Sequence, residues 1–185
     1  MNLPLNMRYI TLTLVFVGLM LLASCSTLTV QDVTTTSQKF VIEDYFQGET
    51  KAYGLLFDRS GKVTRQFEVD LRGHWDEQQQ LLTLDEKFLF DDGERDFRQW
   101  QIKRINEGEY TGQADDVVGE AIGRSEGNAM LWRYSLIINY KGRDITVNIE
   151  DWMYKNNGVL INRATLRKFG LKVGELVISF HQLGS

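Results

Sequence analysis

The chain has one cysteine, one proline and two histidines among its 185 residues, and each scarcity excludes something. A single cysteine, Cys25, rules out an internal disulfide and any zinc cluster built on cysteines. His74 and His181 are the only histidines and stand far apart, so a Ser/His/Asp hydrolase is not expected. The lone proline is Pro4. With no later proline to blunt an edge strand, a sheet closed on itself is favoured over an open one. Basic residues are also few: residues 1–24 carry one charge, Arg8, and the remaining 161 residues hold 20 basic and 25 acidic side chains. Such a well-mixed acidic surface lacks the clustered Lys/Arg footprint of nucleic-acid binding, so no nucleic acid is expected. What is abundant is apolar material, 43% of residues, enough for a packed core in one domain and too much for disorder.

Tyr9 to Ala23 form an apolar stretch behind Arg8 and ahead of small residues, the pattern of a signal peptide. The stretch is shorter than the roughly 20 residues of a membrane-spanning helix. It ends in Leu22-Ala23-Ser24-Cys25, which resembles the lipobox of bacterial lipoproteins. That resemblance implies removal of residues 1–24 and acylation of Cys25 as the new first residue, tying the protein to a membrane. More than one acyl chain makes such anchoring stable. Ser26 in place of Asp resembles an outer-membrane address, with the protein facing the periplasm. Residues 25–38 are polar and rich in Thr, Ser and Gln, and read as a tether. Residues 39–185 are then a single domain.

Within that domain the apolar period is two, which predicts antiparallel strands. Val63, Phe67, Val69 and Leu71 share one face against Thr64, Gln66, Glu68 and Asp70. Met130, Trp132, Tyr134, Leu136 and Ile138 form another apolar row. Arg59-Ser60-Gly61, Asp91-Asp92-Gly93, Lys141-Gly142-Arg143 and Asn156-Asn157-Gly158 supply hairpin turns. About ten strands are expected, with one short helical piece around Ala164 to Phe169 as the alternative to a strand end. The fold class is all-β: an up-and-down meander closed into a lipocalin-like or fatty-acid-binding-protein-like barrel.

Several blocks carry a further resemblance: Tyr45-Phe46-Gln47-Gly48, Asp91-Asp92-Gly93-Glu94, Arg98-Gln99-Trp100, Tyr110-Thr111-Gly112-Gln113-Ala114-Asp115-Asp116-Val117, Gly127-Asn128-Ala129, Asp151-Trp152-Met153, Asn162-Arg163 and Lys168-Phe169-Gly170. Together they resemble an uncharacterised family of proteobacterial lipoproteins, a domain of unknown function, over most of the chain from residue 40. The resemblance implies no activity. Likeness to true lipocalins is architectural, since their early Gly-x-Trp is replaced here by Gly48-Glu49-Thr50, with Tyr53 the nearest aromatic.

Charges that interrupt apolar rows are the candidate site. Glu86 falls between Leu84 and Phe88, where it requires a partner. A three-residue loop at Asp91-Asp92-Gly93 pairs Phe90 with Glu94, and the register then places Glu86 opposite Arg98, Leu84 opposite Trp100 and Leu82 opposite Ile102. Arg65 interrupts the neighbouring row. An Arg65–Glu86–Arg98 group inside a barrel, walled by Trp100, Trp132 and Tyr134, is either a structural ion-pair network or the seat of an amphiphile's head, such as a fatty-acid carboxylate. Gly112, Ala114, Gly119, Ala121, Gly123, Gly127 and Ala129 either leave room for an acyl chain or mark bends of the barrel. Asp115, Asp116, Glu150 and Asp151 are expected to cap turns rather than bind calcium. No cofactor or metal is expected.

These features point to an outer-membrane lipoprotein that binds or shields a lipophilic molecule without catalysis. Glu86 as the acid/base of an isomerase or hydrolase is the least favoured reading. The alternative is a non-catalytic structural or assembly accessory of the envelope with a filled barrel. The lipobox generates one prediction: wild type incorporates labelled palmitate and sediments with membranes, whereas Cys25→Ala does neither. An Ala variant that labels and sediments like wild type refutes it.

Overall fold

The computed structural model describes residues 29–30, 39–140 and 142–184. The leader, Cys25 and most of the expected tether lie outside these residues. A five-residue helix, α1 (Ile42–Phe46), precedes ten strands: β1 (Gly48–Asp58), β2 (Val63–Asp76), β3 (Leu81–Phe90), β4 (Arg95–Asn106), β5 (Glu109–Gln113), β6 (Val117–Glu126), β7 (Ala129–Tyr140), β8 (Arg143–Asn156), β9 (Val159–Lys168) and β10 (Leu171–Gln182). Each strand pairs antiparallel with its chain neighbours, and β1 also pairs with β10 from Thr50↔Gln182 to Asp58↔Gly174. The result is the closed all-β meander expected from the period-two rows. The expected helical piece at residues 164–169 is instead the end of β9 followed by a turn, in which Phe169 and Gly170 both take positive φ. Helix α1 was not anticipated.

Alternation along each strand sends one row inward. Val69 and Leu71 of β2, Leu82 and Leu84 of β3, Trp100 and Ile102 of β4, Met130 and Trp132 of β7, Leu160 of β9 and Phe180 of β10 join one buried cluster. Four hairpin turns, β2–β3, β4–β5, β6–β7 and β8–β9, lie at the end of the barrel that α1 seals. The other end carries the remaining turns and forms a mouth.

Helix α1 is short and has no side-chain cap at its start, so packing must hold it rather than propensity. Phe40, Ile42, Tyr45 and Phe46 are all buried in the barrel core. The Phe46 carbonyl lies on the bare backbone of Gly73, where an added Cβ would come within 1.8 Å of its oxygen. Tyr45 is the clamp. Its hydroxyl donates to the Phe180 carbonyl at 2.9 Å and accepts from the Leu160 amide at 3.1 Å. Burial pushes the Tyr45 hydroxyl above its ordinary pKa, so it stays a neutral donor. Tyr45→Phe keeps the ring but leaves the buried Leu160 N–H without its acceptor. Urea unfolding is expected to show a loss of roughly 1–3 kcal/mol; unchanged stability would show that the clamp contributes nothing.

Candidate functional site

The hairpin at Asp91-Asp92-Gly93 sets the register from which the site grows. Phe90 donates to the Glu94 carbonyl, and Gly93 takes φ 85°, a conformation that glycine adopts without strain. The ladder then pairs Glu86 with Arg98, Leu84 with Trp100 and Leu82 with Ile102, as the sequence predicted. Glu86 and Arg98 both project into the barrel, 3.7 Å apart at their closest charged atoms.

The main partner of Arg98 is a different residue. Its Nε and Nη2 both reach the Asp116 carboxylate, at 2.9 and 2.6 Å. Asp116 was expected to cap a turn, and it does sit in one: the Val117 amide closes onto the Ala114 carbonyl. The turn frees Asp116 from strand alternation, so its side chain reaches inward to the guanidinium. Removing Glu86 therefore would not leave Arg98 unpaired. Burial opposes the Arg98 charge, yet the neighbouring carboxylates of Glu86 and Asp116 raise its pKa above the usual guanidinium value.

Two further polar residues complete the cluster. Asp151, expected in a turn, lies in the middle of β8 on the inward row that includes Val147, Ile149 and Met153. Asn162 of β9 donates from Nδ2 to the Asp151 carboxylate, while its own Oδ1 has no partner. Tyr134 directs its hydroxyl at Asp151, at 3.5 Å. The signal for both was present in the sequence, because Asp151 and Asn162 break apolar rows just as Glu86 does. Desolvation pushes Glu86 up to about 7 and Asp151 up to about 7. Burial likewise raises Tyr134 well above its ordinary value, and the Asp151 charge adds to it.

These groups surround an inner cavity of about 90 Å³ that includes Glu86, Arg98, Trp100, Trp132, Tyr134, Asp151 and Asn162 in its wall. Arg65 is not among them. It lies at the mouth, its guanidinium 3.5 Å from the centroid of Phe90 and paired with Asp92 at 2.9 Å and Glu94 at 2.5 Å. The expected Arg–Glu–Arg group does not form, because Glu86 pairs with Leu71 of β2 and Arg65 lies six residues further along that strand, level with the β3–β4 loop. Of the two readings open for the small residues, room for an acyl chain is not the one seen at Gly112 and Gly123. A Cβ on Gly123 would fall 2.1 Å from the Trp132 ring, and one on Gly112 2.5 Å from it; the indole fills that space and meets Trp100 edge-on at 5.9 Å.

Above the cavity the inner wall stays apolar but is only half-buried: Phe67, Phe88 and Phe90 form an aromatic group, and Leu136, Ile138, Ile145, Leu166 and Leu176 line the opposite side. A larger hollow of about 1120 Å³ lies outside the barrel beside Val30, Lys39 and the β4–β5 turn. It is open to solvent, and its rim charges already pair with one another, as in Lys39 with Glu107 and Arg124 with Glu109. The chemistry converges inside. Compared with known proteins, residues 19–182 match a family model described as "Protein of unknown function (DUF3833)". No curated protein matches the chain.

The buried carboxylates generate a pH prediction. Both have a folded-state pKa of about 7, above their ordinary values of 4.5 and 3.8. The folded state thus keeps its protons where the unfolded chain has lost them, and stability from these groups falls as pH rises from about 4 to about 7. Glu86→Gln and Asp151→Asn remove that dependence. Each variant is expected to gain on the order of 3 kcal/mol relative to wild type across this window, read by denaturant unfolding at a series of pH values. A difference that stays flat with pH would show that the carboxylates are not desolvated.

Proposed function

The chain belongs to the family described as protein of unknown function (DUF3833), and from the barrel's own chemistry we propose that it binds a lipophilic molecule. In this reading it is a lipoprotein held at the outer membrane by acylated Cys25, with the barrel facing the periplasm. The observation that supports it is the gradient along the barrel axis. A half-buried apolar wall at the mouth leads down to a buried polar cluster, and α1 seals the far end. That gradient complements an amphiphile entering head first.

Size refines the reading. The enclosed space of about 90 Å³ holds about three waters, well under the roughly 300 Å³ of a pocket that swallows a drug-sized ligand whole. The head therefore occupies the floor, and the chain lies along the open wall beside Phe67, Phe88 and Phe90. Binding, not turnover, is the task assigned to the site. One observation favours the alternative of an envelope accessory with a filled barrel: Trp132 occupies the space above Gly112 and Gly123.

The two are separated by purifying the full chain from membranes and analysing extracted lipids by mass spectrometry, alongside titration with the neutral apolar dye N-phenyl-1-naphthylamine. Enrichment of one lipid class over the bulk membrane, with saturable dye binding that the lipid displaces, is expected. If no lipid is enriched and the dye does not bind, the filled-barrel reading stands instead.

A further inference from the structure

Resting on the amphiphile reading, we infer that the floor of the barrel selects a primary ammonium head, a protonated alkylamine, and rejects the carboxylate head that an interior arginine suggests. The argument is an inventory of donors and acceptors. A carboxylate needs a free cation or free N–H groups, and each inward arginine already has a carboxylate partner. Arg98 is held by Asp116 through two nitrogens and lies beside Glu86. Arg65 pairs with Asp92 and Glu94 at the mouth, and its one unpartnered nitrogen, Nε, lies outside the cavity wall; Arg104 pairs with Glu43 at the sealed end.

What remains facing the cavity is acceptors. Glu86 meets Arg98 at 3.7 Å and takes a hydrogen bond from the Trp100 indole, which leaves acceptor capacity on its carboxylate, and Asp151 receives Asn162 and a long contact from Tyr134. Asn162 is 1% exposed, lines the cavity and has an unpartnered Oδ1, an orphan that costs free energy until a donor reaches it. An ammonium carries three donors and no acceptor, one for each of these groups. Charge points the same way: once Glu86 and Asp151 are ionised, they and Asp116 outnumber the single Arg98, so a cation entering the cluster offsets an excess of buried negative charge. Trp100 and Trp132 present ring surface to the same space, which favours a cation again. The volume admits an ammonium and its first methylenes. A metal ion is the other cation to consider, but no group of three His, Cys, Asp or Glu side chains among the described residues is arranged to hold one.

The test compares three twelve-carbon probes on the full chain at pH 8, below their micelle concentrations: dodecylamine, dodecanol and dodecanoate. Binding is read by displacement of N-phenyl-1-naphthylamine. Dodecylamine is expected to bind at least about tenfold more tightly than the other two, the scale of a hydrogen bond to a charged group. The preference should persist at 0.5 M NaCl, where surface attraction is screened. In Glu86→Gln and Asp151→Asn the preference should collapse towards the affinity for dodecanol, with the dye still bound. Since the three-probe comparison is made on wild type, it does not depend on either variant folding. Equal or tighter binding of dodecanoate overturns the inference, as does a preference that salt abolishes or that both folded variants retain. If dodecanol and the dye bind as well as the amine, the head-group assignment falls and the amphiphile reading survives. If neither the dye nor any probe binds, both fall.

Discussion

Nine residue pairs between β1 and β10 turn a ribbon of hairpins into a tube, and every interior feature depends on them. All other ladders join strands that follow one another in the chain, so each forms from nearby residues. The β1–β10 ladder alone brings together segments more than a hundred residues apart, and its loop entropy is the largest single cost of the topology. Closure offsets that cost by removing both sheet edges and by creating the only place where Glu86, Arg98, Asp151 and Asn162, drawn from opposite walls, share one low-dielectric space. Opened flat, the same strands would expose these groups to water, and the carboxylates would titrate at ordinary values.

Much of this was legible in the sequence because hairpin geometry is local. The Asp91-Asp92-Gly93 turn fixes which residue of β4 faces Glu86, and the agreement of two apolar pairs with one charged pair makes the register self-checking. What was not legible depends on curvature. Asp116 lies 18 residues from Arg98 and on a turn, so neither spacing nor alternation announces their meeting. Helix α1 is one turn long, too short for a 3.6-residue period to show, and its stability comes from burial that exists only once the barrel has closed. Arg65 shows the opposite failure: its row was identified, but height along the barrel axis separates it from Glu86, and an alternation pattern contains no axial coordinate.

The glycines illustrate how a correct observation supports two structures. Small residues on β5 and β6 do sit beside a large aromatic, but the space they vacate is filled by Trp132 of neighbouring β7, which pairs with Gly123. Composition reports how much volume is missing from one wall. Whether a neighbour or a ligand takes it up is settled by the rotamer of one indole, which the pattern does not encode. The remaining hollow is small and lined with acceptors, so its polarity rather than its size distinguishes it.

Lys39 and Phe40 join the barrel at the sealed end, where the Phe40 amide bonds to Gly127 and its carbonyl accepts from Ser125. A pull on Lys39 loads the bonds of Phe40 to Gly127 and Ser125 first, and then the plug with its Tyr45 clamp. The opening lies at the opposite end of the barrel. Tension would load the seal in the direction that withdraws it, and the hydroxyl bonded to Phe180 and Leu160 is the pin that resists. The far rim bears no such load, and there Phe169 and Leu171 stand 90% and 73% exposed.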